Sequence, residues 1–376
     1  MKSLLVMPRW SEQGALLPPS GRPYLDMMLE CLGVGAVALL ELDGDGPFDP
    51  LKTPEEYSII LIQGDGHCPR LRRSLVSNLG LSLGLEGEES DHLKVLGART
   101  LTDEAGRAEG FIVQRRGRTV AYCERSLWSV KRSLFKILRG LVSDAGGGRR
   151  SRSLACWMVE GVGEALDLGE ELRATVRTAC RMHALPNGDA GLMVPGTLGE
   201  EFTTRLKERL GNRIYATAPL PLEELVGARL IETGVKLAVA ESCTAGLVAA
   251  RLSALPGASA YLTSGWVTYA NEAKMRDLGV HADLLASRGA VSREVAQAMS
   301  AGALRVSEAD LAVAVTGIAG PDGGSAAKPV GTVHLAVRSR SGILLEHHDV
   351  YSGSREQVRW QASQTALHLL RRMLMA

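Results

Sequence analysis

Val235-Lys236-Leu237-Ala238-Val239-Ala240-Glu241-Ser242-Cys243-Thr244-Ala245-Gly246-Leu247-Val248-Ala249-Ala250-Arg251-Leu252 changes character twice in a short span. Residues 235–240 form an apolar run of the kind that makes a buried strand. Residues 246–252 read as a helix. A strand passing through a tight turn into a helix is the repeating unit of α/β folds. Ser242 stands at the turn. There its hydroxyl is held at a sheet edge, beside free backbone N–H groups and the positive end of a helix dipole. Those surroundings suit a nucleophile and an oxyanion. Serine is also a preferred helix N-cap, and on the local residues alone capping is the plainer reading.

The same alternation continues downstream. Leu222 to Thr233 has helical periodicity and leads into the strand before Ser242. Strand Gly265 to Tyr269 precedes helix Glu272 to Leu278, and helix Ser292 to Arg305 precedes strand Leu311 to Thr316. Gly331 to Arg338 and Ile343 to Val350 read as a hairpin, and Ser354 to Met373 as a closing helix. Residues 219–376 are therefore expected to form an α/β/α sandwich on a mixed sheet.

Upstream, the chain divides twice. Ala145-Gly146-Gly147-Gly148-Arg149-Arg150 will not pack and reads as a linker. A second boundary falls near Ala216-Thr217-Ala218-Pro219-Leu220-Pro221. Residues 1–145 mix helices (24–32, 128–141) with strands (36–42, 58–62, 119–123), which predicts an α/β sandwich. Residues 153–218 read as a small α+β unit, with strands at 153–159, 190–194 and 213–215 and helices at 166–178 and 198–210.

A chain of 376 residues is too long for one ordinary domain. Its formal net charge is +1, with no long run of one sign, so no electrostatic footprint for nucleic acid is expected. Arg149-Arg150-Ser151-Arg152 reads as a solvated linker. The six cysteines are scattered, with no C-x-x-C pair, as expected for reduced thiols in a cytoplasmic protein. The apolar start is short and interrupted by Pro8, so no signal peptide is expected, and no apolar run is long enough to span a membrane.

Three further places accompany Ser242. In Val267-Thr268-Tyr269-Ala270-Asn271-Glu272-Ala273-Lys274, Asn271 reads as an N-cap and Lys274 falls in the first turn of a helix. A lysine facing the positive end of a helix is unfavourable. If it is also desolvated, its pKa falls and free amine becomes available as a general base; alone, it would read as a surface lysine. Thr316-Gly317-Ile318-Ala319-Gly320-Pro321-Asp322-Gly323-Gly324 follows a buried strand and offers backbone N–H groups for close ligand approach. Tyr351-Ser352-Gly353-Ser354-Arg355 enters the last helix, where Arg355 could pair with a carboxylate or phosphate or simply be exposed. His347-His348 lies in a strand, so its rings point to opposite faces. No metal-ligand spacing exists, and neither a catalytic metal nor a cofactor is expected. Cys243 lacks a histidine partner and reads as a small buried apolar residue.

Residues 238–246, 267–274 and 317–324, continuing through Lys328-Pro329-Val330-Gly331-Thr332-Val333, resemble the C-terminal domain of the CinA (competence/damage-inducible) family. The resemblance covers about 219–376. It implies a nicotinamide-nucleotide amidase that converts nicotinamide mononucleotide and water to nicotinate mononucleotide and ammonia, in pyridine nucleotide salvage. It also implies Ser242 as nucleophile, Lys274 as general base and Tyr269 as a helper in proton transfer or positioning. The implied substrate-binding positions are Thr244, Gly246, Gly317, Ile318, Ala319, Gly320, Gly323, Gly324 and Arg355. The family carries glycine where Ala245 stands, and aspartate where Ser354 stands.

The middle unit resembles the linking domain of full-length CinA proteins through Gly161-Val162-Gly163-Glu164. The first unit resembles their molybdopterin-binding-like domain, which is associated with ADP-ribose pyrophosphatase activity. Its Gly-Gly-Leu-Gly-Pro-Thr run and paired aspartates are replaced here by Gln63-Gly64-Asp65-Gly66-His67-Cys68-Pro69-Arg70. This unit is therefore expected to have lost that activity and to serve as a scaffold or dimer interface. The amidase leads the readings, with a homodimer expected. The alternatives are a nucleotide-binding protein without catalysis, and a bifunctional pyrophosphatase and amidase; ammonia release separates the amidase from the binding protein.

Overall fold

The structure is a computed structural model. It describes residues 2–8, 22–32, 34, 37–42, 47–64, 69–85, 93–103, 106–123, 127, 130–145, 154–161, 166, 168–185 and 187–375. The first of its three main sheets is built from β1 (Lys2–Pro8), β2 (Val37–Leu42), β3 (Tyr57–Gln63), β6 (Arg99–Thr102), β7 (Ala108–Arg115) and β8 (Arg118–Cys123), in the order β2-β1-β3-β8-β7-β6. Strands β2, β1, β3 and β8 run parallel, β7 is antiparallel to β8, and β6 is antiparallel to β7 and so runs with the other four. The run Ile59-Ile60-Leu61-Ile62 is apolar without interruption because both faces are covered. Ile59 and Leu61 pack under α1 (Arg22–Cys31) and α3 (Lys131–Ala145), while Ile60 and Ile62 pack under α2 (Pro69–Asn78). Two short strands, β4 (Ser82–Leu85) and β5 (Leu93–Leu96), pair with each other alone. The glycine linker at 146–153, the motif segment 65–68 and residues 162–165 lie outside the described residues.

The second sheet is antiparallel, in the order β10-β11-β9-β12, from β9 (Leu154–Val159), β10 (Arg181–Ala184), β11 (Ala190–Pro195) and β12 (Ile214–Ala216). One face, with Trp157 and Leu192, packs on α4 (Glu170–Ala179) and α5 (Gly199–Leu210). The helix expected from Leu166 starts only at Glu170, because Gly169 before it stands at φ 70°. The other face, with Cys156, Met158 and Met193, shares one core with Tyr24 and Met27 of α1 and with the C-terminal helices.

The third sheet has the order β14-β13-β15-β16-β17, from β13 (Leu237–Glu241), β14 (Leu262–Val267), β15 (Leu311–Gly317), β16 (Thr332–Ser339) and β17 (Leu344–Val350). Strand β13 is parallel to both neighbours, whereas β15, β16 and β17 are successively antiparallel, so the sheet is mixed as expected. Alternation along these strands sorts residues by size. Val239, Val313, Val315 and Leu335 face α6 (Leu222–Thr233), α7 (Leu247–Ser253) and α11 (Arg355–Met373). Ala238, Ala240, Ala312 and Ala314 face α8 (Asn271–Leu278), α9 (Ala282–Arg288) and α10 (Arg293–Arg305). The chain leaves β13 toward β14 on one side and returns past it to β15 on the other. The carboxyl end of β13 is thus a topological switch point, where α/β sheets open a crevice for ligands.

Candidate active site

Ser242 is the first residue beyond β13. Its N–H still donates to Val315 O at 2.9 Å, extending the ladder by one residue before the chain turns away. The turn passes through Ala245 at φ 50° and Gly246 at φ 89°. Left-handed backbone favours glycine, so Ala245 carries strain that a glycine there would not. Gly317, at the end of β15, closes the other side. A Cβ there would meet Val333 Cγ2 at 2.7 Å, Thr332 O at 2.8 Å and Cys243 Sγ at 3.0 Å.

Ser242 and Lys274 come together in this crevice. Lys274 lies in the first turn of α8 with only 1% of its surface exposed. Its Nζ is 3.1 Å from Ser242 Oγ, 2.7 Å from Thr268 O and 3.1 Å from Tyr269 O. Burial pushes its pKa below the ordinary lysine value. Nζ donates to both carbonyls and to Ser242 Oγ, the pattern of an ammonium with three acceptors. Once the amine loses its proton, the two carbonyls keep its two N–H groups, and its lone pair is free to accept the O–H of Ser242. Such a pair can transfer the serine proton as the oxygen attacks. Thr268 is held in turn by Glu241, whose O accepts from Thr268 N at 2.8 Å.

The expected N-cap of α8 is displaced by one residue. Asn271 is the first helical residue, and Ala270 is the N-cap, without a side-chain bond. The Tyr269 ring is 57% exposed. Its hydroxyl accepts from Arg355 Nη2 at 2.8 Å, and Arg355 Nη1 also donates to Gly320 O at 2.8 Å. Tyr269 thus touches Lys274 through its carbonyl and Arg355 through its phenol. Ser354 caps α11 in a capping box with Gln357, and Arg355 keeps its two contacts beside that cap.

The remaining expected positions divide. Thr244 is fully buried and its Oγ1 has no hydrogen-bond partner among the described residues, while Gly246 is the N-cap of α7. Ile318 is tied to the β16 side through Ile318 N to Thr332 O at 2.8 Å and Gly331 N to Ile318 O at 2.7 Å. Ala319 is buried in the core shared with Cys243. Gly320 is joined to Pro321 by a cis bond, and Gly323 and Gly324 pack against Ile318 and Val330 respectively. Cys243 is buried, and burial pushes its thiol up to about 12, consistent with an inert packing role. Among the described residues, no backbone carbonyl accepts from the N–H of Cys243 or Thr244, the two residues that follow Ser242 in the turn, and both N–H groups interact with the Cys243 thiol.

One contributor was not expected. Arg359, one turn beyond Arg355, donates from Nε and Nη2 to Thr244 O at 3.3 and 2.9 Å. Its signal in the sequence is the i, i+4 spacing of two arginines, which puts both on one helix face. Among the described residues, no cluster of three or more His, Cys, Asp or Glu could hold a metal ion, and no helix is long and apolar enough to cross a membrane.

The family model of the CinA C-terminal domain matches residues 220–374. A CinA-like protein of Geobacter sulfurreducens is 51% identical over 170 residues, which is 45% of this chain and 41% of that protein. A putative competence-damage inducible protein of Moorella thermoacetica is 47% identical over 171 residues, 46% of this chain and 41% of that one. The matched stretch thus spans less than half the length of either relative. The crystal structure of a competence/damage inducible protein from Agrobacterium tumefaciens is 45% identical and covers 42% of this chain and 98% of that one, with a TM-score of 0.40. Through residues 220–374, the chain belongs to the CinA family.

Proposed function

We propose that this protein is an amidohydrolase that converts nicotinamide mononucleotide and water to nicotinate mononucleotide and ammonia by a serine–lysine mechanism. The observation that carries the reading is the buried contact of 3.1 Å between Lys274 Nζ and Ser242 Oγ, with desolvation favouring the free amine. Ser242 Oγ attacks the carboxamide carbon while Lys274 takes its proton. The tetrahedral oxyanion forms beside the N–H groups of Cys243 and Thr244; one such donor is worth on the order of 100-fold or more in rate. Lys274 then gives the proton to the departing nitrogen, and ammonia leaves. Water enters and attacks the acyl carbon as it loses a proton to Lys274; Lys274 returns that proton to Ser242 Oγ as the C–O bond breaks, releasing the acid. Arg355, which donates to the Tyr269 hydroxyl and to Gly320 O, and Tyr269 border the same crevice and would orient the nucleotide.

The test is ammonia release from nicotinamide mononucleotide by the full chain, with an EDTA-treated sample and Ser242→Ala alongside. Turnover that survives EDTA and disappears in the variant supports the reading. Full activity in Ser242→Ala, or no ammonia from the wild type, refutes it.

A further inference from the structure

Helix α7 has an unusual start. Its N-cap, Gly246, has no side chain, and the left-handed turn at Ala245 and Gly246 departs from the extended conformation in which a Ser or Asp cap works. The N–H groups of its first turn still need acceptors. They are supplied from the end of β13. Glu241 Oε2 accepts from Val248 N at 3.1 Å, and Glu241 Oε1 accepts from Ala249 N at 2.9 Å. Glu241 is 1% exposed, and among the described residues no cation lies in ion-pair contact with it. A buried carboxylate without a cation is costly, and the two charge-assisted bonds and the helix dipole are what offset that cost.

We propose that Glu241 is the positioning residue of the Ser242–Lys274 pair. Its carboxylate caps α7, so the serine hydroxyl is not drawn into capping and stays with Lys274. By fixing α7 against the end of β13, it also fixes the turn that presents the N–H groups of Cys243 and Thr244. Its main chain reaches the other partner, because Glu241 O holds Thr268 N and Thr268 O holds Lys274 Nζ. A one-residue link therefore sets both the nucleophile and the seat of its base. This inference rests on the reading of Ser242 and Lys274 as a reactive pair, but not on the identity of the amide.

The experiment measures two rates on full-length protein: turnover of nicotinamide mononucleotide, and labelling of Ser242 by a fluorophosphonate. In Glu241→Gln, one acceptor oxygen becomes an NH2 group facing a backbone N–H. Expected is a fall of about 100-fold in kcat and in the labelling rate, the scale of a roughly 1 Å misplacement of a reacting group. KM should change by less than about 3-fold, and circular dichroism should be unchanged. Glu241→Asp keeps the charge one methylene short, should fall between the two, and serves where the Gln variant does not fold. A folded Glu241→Gln or Glu241→Asp protein that labels within about 3-fold of the wild type overturns the inference. So does a loss explained wholly by a smaller folded fraction. Wild type that labels at Ser242 but releases no ammonia refutes the substrate and leaves Glu241 in place; wild type that does not label refutes the pair and the inference together.

Discussion

Replacing Lys274 by methionine separates the chemical from the structural role of this residue, because the two side chains have similar length. The amine makes three contacts, at 3.1 Å to Ser242 Oγ, 2.7 Å to Thr268 O and 3.1 Å to Tyr269 O. Thr268 is fully buried, so its carbonyl loses its donor at about 1–3 kcal/mol. Against that, methionine removes the desolvation of an ionisable group that already disfavours its charged form. The two effects oppose, so the melting temperature should move by only a few degrees in a chain of this size. Activity has no such compensation. Loss of a general base alone is worth about 100- to 10,000-fold, and kcat/KM should fall at least that far. The wild type should show kcat/KM rising with pH as Lys274 loses its proton, levelling off at a pH below the ordinary lysine value of 10.5. Stability follows the same sign. Between the lowered pKa and 10.5 the unfolded chain binds more protons, so the contribution of Lys274 becomes more favourable as pH rises. Lys274→Met should abolish both dependences. A folded variant that keeps more than about a tenth of wild-type kcat/KM would refute the assignment of Lys274 as base.

Ala245→Gly should be neutral or stabilise by up to about 1 kcal/mol in denaturant unfolding, since relief of left-handed strain outweighs added chain entropy at φ 50°; a loss above about 0.5 kcal/mol would count against strain at this turn. Arg251→Met should cost about 3–5 kcal/mol, because Arg251 and Glu223 are both buried and paired at 2.8 Å. Adding Glu223→Leu should recover most of that loss, and additive losses in urea titrations would show that the pair is not coupled. Gly317→Ala should cost about 1–3 kcal/mol and lower kcat, because its Cβ would press on Thr332 O, already committed to Ile318 N, and on Cys243 beside the nucleophile. Unchanged stability and kcat would show that the turn yields there.

The C-terminal sheet was legible because its strands alternate large and small apolar residues in short runs, each bounded by a turn. Strand Leu311–Gly317, the hairpin of Thr332–Ser339 with Leu344–Val350, and helix Arg355–Met373 all fall within a residue or two of expectation. Helix Ala282–Arg288 did not stand out, being seven residues long, with glycines near both ends. In the first unit, β4, β5 and β6 are four-residue strands with too few alternations to register. At the site, Ser242 and Lys274 stand out in the sequence through the family resemblance, but spacing alone does not bring residues 32 apart into contact. Glu241 was hidden by the opposite problem. Its partners Val248 and Ala249 are close in sequence, but their dependence on it shows only once α7 is seen to start at Leu247 behind a left-handed turn. Asn271 was misplaced because an asparagine before a helix suits either the cap or the first turn.

Helix α11 ties these observations together. Near its start, Arg355 reaches Tyr269 and Gly320, and Arg359 reaches Thr244. Farther along, Gln364 Nε2 donates to Asp189 Oδ2 at 2.5 Å, and His368 Nε2 lies 3.0 Å from the same oxygen. Arg371 reaches Glu160 and Asn212 O. An apolar stripe alone would tolerate a small rotation of the helix, because dispersion contacts are many and undirected. A buried carboxylate does not. Asp189 is 2% exposed, and turning α11 by one residue, about 100°, would strip it of both donors. The same rotation would swing Arg355 and Arg359 off Tyr269 and Thr244. Groups in the connections beside the four-stranded sheet, Asp189, Glu160 and Asn212, therefore set the azimuth of the helix whose first two turns border Ser242. The direction of those hydrogen bonds, added to the apolar core that the two parts share, couples the 154–216 segment to the geometry of the site.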